Sequence, residues 1–392
     1  MASYEQLYNL INATTQGAIG GTAISVKDTT SLVSLGNVVL SSDTNREEFY
    51  NKLADMIGRI VCRYKQIRRK RRGIEVDPLE FGIALQEITT KTIARAKKNN
   101  SWDNQANPFA VLAKDDTDIE AYIFKALGGW EIDKVTYDYQ LETAFHNGAE
   151  MASFMSMIFA DAANGMTLAA NDNEMLTEGT SIALAFHGTT LGRATAFNLF
   201  TLFKADNPTS SLTAATARYD TDFLRYATDK MLTIVDNALE LSTLYNYAGH
   251  ETELDDNFKF NMISEFANKL SIYLKADTYH EDLLKLPGFE KVNSWQGLGS
   301  DASWGEKTKV DIKNGDIELS QSGIVGHVFA APHMLTVIDK PRTKSIYNPA
   351  SECTNWYYKA DIGYIVRPYE VNIVFYIADT DWTPSNSKKS RK

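Results

Sequence analysis

The segment from Ile67 to Lys114 sets the strongest limit on how this chain can fold. After Ile67 it reads RRKRRGIEVDPLEFGIALQEITTKTIARAKKNNSWDNQANPF, with basic residues at both ends and Gly73, Pro78 and Gly82 between them. No single apolar stripe runs through it. The pattern predicts a long excursion built as a two-stranded ribbon, with a polar tip around Lys97 to Asn107. Such a ribbon is too thin to enclose a core, and an isolated hairpin is marginal in water. A segment this long without its own core is functional or lacks a partner.

Residues 1–45 pose the same problem. Tyr4, Leu7, Tyr8 and Ile11 fall at i, i+3, i+4 and i+7, one stripe of a short helix. The following TTQGAIGGTAISVKDTTSLVSLG lacks helical period, and Gly17, Gly20 and Gly21 would weaken any strand there. The reading is an extended arm with a small docking helix, unable to bury its own Ile and Val. A disordered terminus is the alternative. Order begins at Thr44, which makes a capping-box pattern with Glu47. Phe49, Leu53, Met56, Ile57, Ile60, Val61 and Tyr64 then recur at core spacing and predict an amphipathic helix.

Further along, Tyr122–Tyr139 reads as strands broken at Gly128–Gly129, followed by a helix with Met151, Phe154, Met155, Ile158, Phe159 and Ala162 on one face. Residues 171–203 carry a mixed helical signal, and Asn207–Ser211 reads as a turn. Tyr219–Leu244 is helical, with Leu224, Met231, Leu232 and Val235 at core spacing. A buried strand is expected at Leu270–Asp277 and loops at Leu283–Phe289 and Trp295–Gly305. The last third is strand-rich, with runs at 328–329, 335–338, 356–358, 362–366 and 371–377. The tail SNSKKSRK is basic, and the chain shows no internal repeat.

Composition excludes several classes. With 44% hydrophobic and 23% charged residues the chain is globular. No apolar run approaches the roughly 18 residues that span a bilayer, so no membrane is expected. MASYEQLYNLINATT has neither the basic start nor the apolar core of a secretory signal. Cys62 and Cys353 build neither a disulfide framework nor a metal spacing, which fits a reducing cytoplasm. The net charge is −10, yet Arg63, Lys65, Arg68, Arg69, Lys70, Arg71 and Arg72 crowd into one acid-free stretch. Without those seven charges the remainder stands at −17, a balance that repels phosphate.

The basic run Arg68, Arg69, Lys70, Arg71 and Arg72 has three readings: nucleic-acid binding, pairing with carboxylates of an adjacent subunit, or a solvated face. Pairing is favoured. Only Trp102 lies nearby as a stacking partner, and arginine forms bidentate carboxylate pairs. The candidate acidic partners are Asp115, Asp116, Asp118 and Glu120, just past the ribbon. His146, His187, His250, His280, His327 and His333 show no metal spacing and read as ordinary core or surface histidines. Glu251, Glu253, Asp255 and Asp256 read as a solvated acidic loop rather than a calcium site. GAIGG at Gly17–Gly21 lacks the context of a phosphate loop, and no Gly-x-Ser-x-Gly elbow occurs. Met151, Met155 and Met157 read as core filler. No catalytic, metal or cofactor-binding residue is predicted, and no cofactor.

Two stretches carry a resemblance. One is NREEFYNKLADMIGRIVCRYKQIRRK running into DPLEFGIALQEIT; the other is VFAAPHMLTVIDKPRTKSIYNPASECTNWYYKADIGYIVRPYEVNIVFYIAD. In the second, the turn Tyr347–Asn348–Pro349 precedes an aromatic strand, Asn355 to Tyr358, and a last strand, Ile373 to Ile377. Together with the order of elements over roughly 35–378, they resemble the major capsid proteins of tailed bacteriophages, most closely those of phi-29-like podoviruses. The resemblance implies an α+β, Hong Kong 97-like capsid fold. Its parts would be an N-terminal arm at 1–45, a helix at 46–66 leading into an E-loop at 67–120, and a P-domain with spine helix at 121–197. An inserted A-domain would follow at 198–345, then P-domain return strands at 346–380 and a basic tail at 381–392. Some relatives carry an immunoglobulin-like domain after the last strand; none follows in this sequence, so no decoration role is expected from one.

The resemblance further implies self-assembly as hexamers and pentamers into an icosahedral shell enclosing double-stranded DNA. Scaffolding protein and portal protein would be the partners, in host cytoplasm during assembly and in the virion afterwards. Two alternatives remain: an encapsulin-like nanocompartment shell, and a cytosolic α+β enzyme that the absent catalytic constellation disfavours.

Overall fold

The computed structural model describes residues 11–13, 15, 25–40, 48, 72–76, 84–96, 118–125, 128–139, 148–276, 289–297, 302–315, 317–338 and 342–384. The helix expected over 46–66, the ribbon tip Lys97–Asn107 and the basic end of the tail lie outside the described residues. So do Tyr4, Leu7 and Tyr8 of the first stripe.

The described fold is α+β. One sheet contains β1 (Ile74–Val76), β4 (Gly128–Tyr137), β11 (Met334–Ile338), β12 (Arg342–Asn348) and β13 (Cys353–Val366). Strand β13 is antiparallel to β4, β11 and β12, and β1 runs parallel to β11. Its sequence alternates with period two. Trp356, Tyr358, Ala360 and Ile362 are buried, while Asn355, Tyr357, Lys359 and Asp361 face outward.

The second sheet runs in the order β5 (Ala196–Asn198), β14 (Asn372–Tyr376), β10 (Ile324–Phe329), β6 (Lys259–Ile263) and β7 (Glu290–Val292). Its central strands β10 and β14 are buried throughout, so apart from His327 and Asn372 they read as apolar runs rather than alternating ones. Three helices cover one face: α3 (Leu199–Asp206), α5 (Thr221–Ala238) and α6 (Ser264–Ala276). Helix α5 starts where the Asp220 carboxylate accepts from the Phe223 N–H at 2.9 Å. Its Phe223, Leu224, Ala227, Met231, Ile234 and Val235 then form one apolar stripe.

The other face packs on the hairpin β8 (Val310–Asn314) and β9 (Ile317–Gln321) and on the end of helix α2 (Gly148–Thr190). At 43 residues, α2 extends about 65 Å and contacts strands of both sheets. A methyl on Gly165 would lie 2.8 Å from Ile132 Cδ1, so this helical glycine lets β4 approach closely. Shorter helices are α1 (Thr29–Leu40), α4 (Ala214–Ala217) and α7 (Trp304–Lys307).

Three expectations change. Residues 270–276 of the expected strand instead end helix α6, which turns Phe266, Ala267 and Leu270 inward and leaves Ile272 exposed. Most of the arm's described residues are helical rather than extended. Asp28 and Ser31 cap α1 reciprocally, with Ser31 N–H to Asp28 Oδ1 at 2.8 Å and Asp28 N–H to Ser31 Oγ at 3.1 Å. Ile11, Val26, Leu35 and Val39 are buried, and Asn12 bonds both backbone groups of Val26. The mixed signal at 171–203 is mainly the continuing helix α2, and the runs at 356–358 and 362–366 form one strand. The two sheets also interleave along the chain. Strand β11 joins the sheet of β4 and β13, while β14 joins the sheet of β5 and β10.

Candidate functional site

The expected ribbon exists: β2 (Ala84–Thr90) pairs antiparallel with β3 (Ile119–Lys125). Its two faces are mixed, with three isoleucines on the side turned to water. Ile88, Ile119 and Ile123 point outward with 68%, 59% and 64% exposure, beside exposed Gln86, Thr90 and Ala121. The inward face carries Glu87, Thr89, Glu120, Tyr122 and Phe124.

That polar face docks on the chain's own body. The Arg367 guanidinium donates through Nε to both Glu87 oxygens, at 3.1 and 2.8 Å, and through Nη2 to Oε1; Tyr369 OH donates to Oε2. Burial pushes the Glu87 carboxyl up, but Arg367 and Tyr369 outweigh it and hold the group below its ordinary value. One strand away, Glu120 accepts from Tyr122 OH at 2.7 Å, pairs with His250 Nε2 at 3.0 Å and meets Lys91 Nζ at 3.3 Å. These partners hold its carboxyl down to about 2, and burial and the adjacent Glu120 charge push the Tyr122 phenol up. Glu251 closes the seam, accepting from the Ile93 N–H at 2.8 Å and from Arg95 Nη2 at 3.2 Å. The pairs at Lys91 and Arg95 are exposed and contribute about 0–1 kcal/mol each, so the seam directs the ribbon more than it stabilises the fold.

A second polar cluster lies sealed on helix α2. Arg72 Nη1 pairs with Glu178, while its Nη2 donates to Ser294 O at 3.1 Å and its backbone N–H to Glu174 at 3.0 Å. Glu178 also accepts from Asn261 Nδ2 at 2.6 Å and faces His327 Nδ1 at 3.2 Å. Burial pushes the Glu178 carboxyl up; Arg72, His327 and Asn261 outweigh it and hold it at about 2. Ser181 Oγ stands 2.7 Å from His333 Nε2 and 3.2 Å from His327 Nε2, and Asn372 bridges His327 and Ser181 O. Burial, then the neighbouring His327, lowers His333 to about 3, so it is neutral near neutral pH.

Glu178, His327 and Ser181 are the residue types of a hydrolytic triad in hydrogen-bond sequence. All three have 0% exposure, so no substrate reaches the hydroxyl. The cluster ties α2 to β6, β10 and β14 and to the residue entering β1. No group of His, Cys, Asp and Glu suited to a metal ion occurs among the described residues.

The residues singled out from sequence separate. Arg68, Arg69, Lys70, Arg71, Asp115 and Asp116 lie outside the described residues. Arg72 is buried against Glu178 of its own chain, and Glu120 is engaged by Lys91 and His250, so these two have partners at home. Asp118 is exposed, and its carbonyl accepts from the Lys91 N–H at 2.9 Å. Sequence reasoning missed Glu178, Ser181, His327, Asn261 and Asn372 as one cluster. A signal was present: Asn261, His327 and Asn372 each stand among the apolar residues of a strand, in KFNMI, IVGHVF and NIVFY. Such a group is buried at low cost only with a hydrogen-bond partner.

A family model for Phi29-like phage major capsid proteins matches residues 9–376. Among solved structures, the capsid of Staphylococcus phage Andhra is similar at 8% identity and TM-score 0.48, covering 77% of this chain and 82% of that one. The capsid of the cyanophage P-SCSP1u is similar at 12% identity and TM-score 0.47, covering 79% and 87%. The mature capsid of bacteriophage PhiM1 follows at 8% identity and TM-score 0.41, covering 80% and 87%. No curated protein matches the chain.

Proposed function

Because the chain belongs to the Phi29-like phage major capsid protein family, we propose that it builds an icosahedral shell from hexamers and pentamers, enclosing double-stranded DNA. The observation that carries this reading is the ribbon. A two-stranded hairpin with polar groups turned inward and three isoleucines turned to water is poor structure for a solitary molecule. Against a neighbouring copy the same face becomes the apolar centre of an interface. Heterologous contacts of that sort close into rings, and closure makes each later contact effectively intramolecular.

In this reading the ribbon is the E-loop and α2 the spine helix. The sheet of β4 and β13 forms the P-domain, the sheet of β10 and β14 the A-domain, and residues 1–45 the arm. The protein is structural, without catalysis or cofactor, and is assembled in host cytoplasm with a scaffolding protein and a portal protein. Arg68, Arg69, Lys70 and Arg71 pair with Asp115, Asp116 and Asp118 of an adjacent subunit.

Negative-stain microscopy of the chain co-expressed with its scaffolding and portal proteins tests the assignment. Closed shells that package DNA are expected; shells filled with protein cargo would favour a nanocompartment, and a monodisperse monomer would end the reading. Arg69→Glu with Arg71→Glu should block assembly, and charge reversal at Asp115, Asp116 and Asp118 should partly restore it. Full assembly of the first variant would remove the charge-pairing part.

A further inference from the structure

We infer that the root of the ribbon is an ionic latch, through which Glu87 and Glu120 aim the ribbon's aliphatic face in a direction set by the link between the two sheets. The inference rests on the ribbon being an assembly element and adds what controls its direction.

The contacts across the seam are chiefly polar. Glu87 meets Arg367 and Tyr369, Glu120 meets His250, and Glu251 meets Arg95 and the Ile93 N–H. The Glu251 N–H in turn donates to Lys91 O at 2.9 Å. Aromatic rings fill the space between, with Tyr122 and His250 centred 5.1 and 5.6 Å from Tyr369. A seam of this composition orients a rigid ribbon without merging it into the core, because hydrogen bonds are directional where apolar contacts are not.

The place of attachment matters as much as its chemistry. Arg367 and Tyr369 lie between β13 of one sheet and β14 of the other. The Arg367 N–H donates to His333 O at 2.8 Å, and His333 belongs to the sealed cluster on α2. One residue therefore binds the ribbon with its side chain and the junction of both sheets with its backbone. A change in the angle between the sheets moves Arg367, and Glu87 carries that movement to the ribbon. Glu370 adds a half-buried carboxyl, pushed up by desolvation, and with Glu87 it sets negative charge beside Arg367.

The test is hydrogen–deuterium exchange on the full chain, unassembled and in closed shells, comparing the parent with Glu87→Gln, Glu87→Gln/Glu120→Gln and Tyr369→Phe. Glu87→Gln should speed amide exchange in β2 and β3 about tenfold while β6, β10 and β14 stay unchanged. The double variant should go further and Tyr369→Phe less far. Shells of the double variant should be heterogeneous in size. Ribbon exchange as slow as in the parent would overturn the latch, as would equal acceleration in β6, β10 and β14. Ile88→Asp/Ile123→Asp separates this from the assembly reading: it should keep parental ribbon exchange in the unassembled chain yet form no shells. Normal shells from that variant would sink the assembly reading and leave the exchange result on the latch standing.

Discussion

Arg72–Glu178 and Arg367–Glu87 are the same chemical pair in two different settings. Glu178 has no accessible surface, and every neighbour it bonds belongs to the body of the fold. Glu87 keeps 16% of its side chain exposed and joins the body to a ribbon whose far face is aliphatic and wet. The first pair holds elements together; the second holds one element in a direction. A buried pair adds little net stability over an apolar substitute, yet losing one partner leaves an uncompensated charge. A pair at a seam influences mainly the local opening of what it joins.

The largest effect is expected from Arg72→Met, which strands the Glu178 charge and should cost about 3–5 kcal/mol in chemical denaturation of the unassembled chain. Arg72→Met with Glu178→Leu should recover most of that loss; no recovery would mean that Arg72 acts by packing alone.

Acid comes next. The folded state holds His333 at about 3, while the unfolded chain takes up that proton near the ordinary 6.5. The unfolded state therefore binds more protons, and stability should fall as pH drops below 6.5 and on toward about 3. The slope is about 1.4 kcal/mol per pH unit for this one group. His333→Asn should flatten the fall between pH 6.5 and 4.5, above the range where Glu178 protonates. An unchanged profile would show that His333 is not desolvated.

Smaller still, Glu87→Gln should change global stability by less than about 1 kcal/mol, because its effect is confined to the ribbon. Smallest of all on stability is Ile88→Asp with Ile123→Asp, expected within about 0.5 kcal/mol since both side chains are exposed. This last variant should nonetheless abolish assembly. A large loss of stability would show that the aliphatic face is covered by its own chain.

Local pattern was legible wherever a single element decides its own burial. The stripe of α5 and the apolar runs of β13 were readable because side chains of one segment face one way, whereas Gly128 and Gly129, read as a break, are the first residues of β4. The ribbon was legible by default, from the lack of any stripe. Leu270–Tyr273 was not, since a short apolar run fits a strand or a buried helix turn equally well. Helix α1 was hidden because its signals, the Asp28–Ser31 cap and the Leu35–Val39 step, are brief and set among Gly, Thr and Ser.

From residue order alone came the main helical stripes, the strand-rich last third and a two-stranded ribbon with no core of its own. Those follow from periodicity and charge, which act over a few neighbouring residues. Which sheet β14 joins, that Arg72 leaves its basic run for a buried carboxylate, and which way the isoleucines of the ribbon face were decided only in three dimensions. Each depends on groups that lie far apart in the chain, such as Arg72 with Glu178 and Glu87 with Arg367. Desolvation and pairing of such groups are settled by where the backbone brings them together.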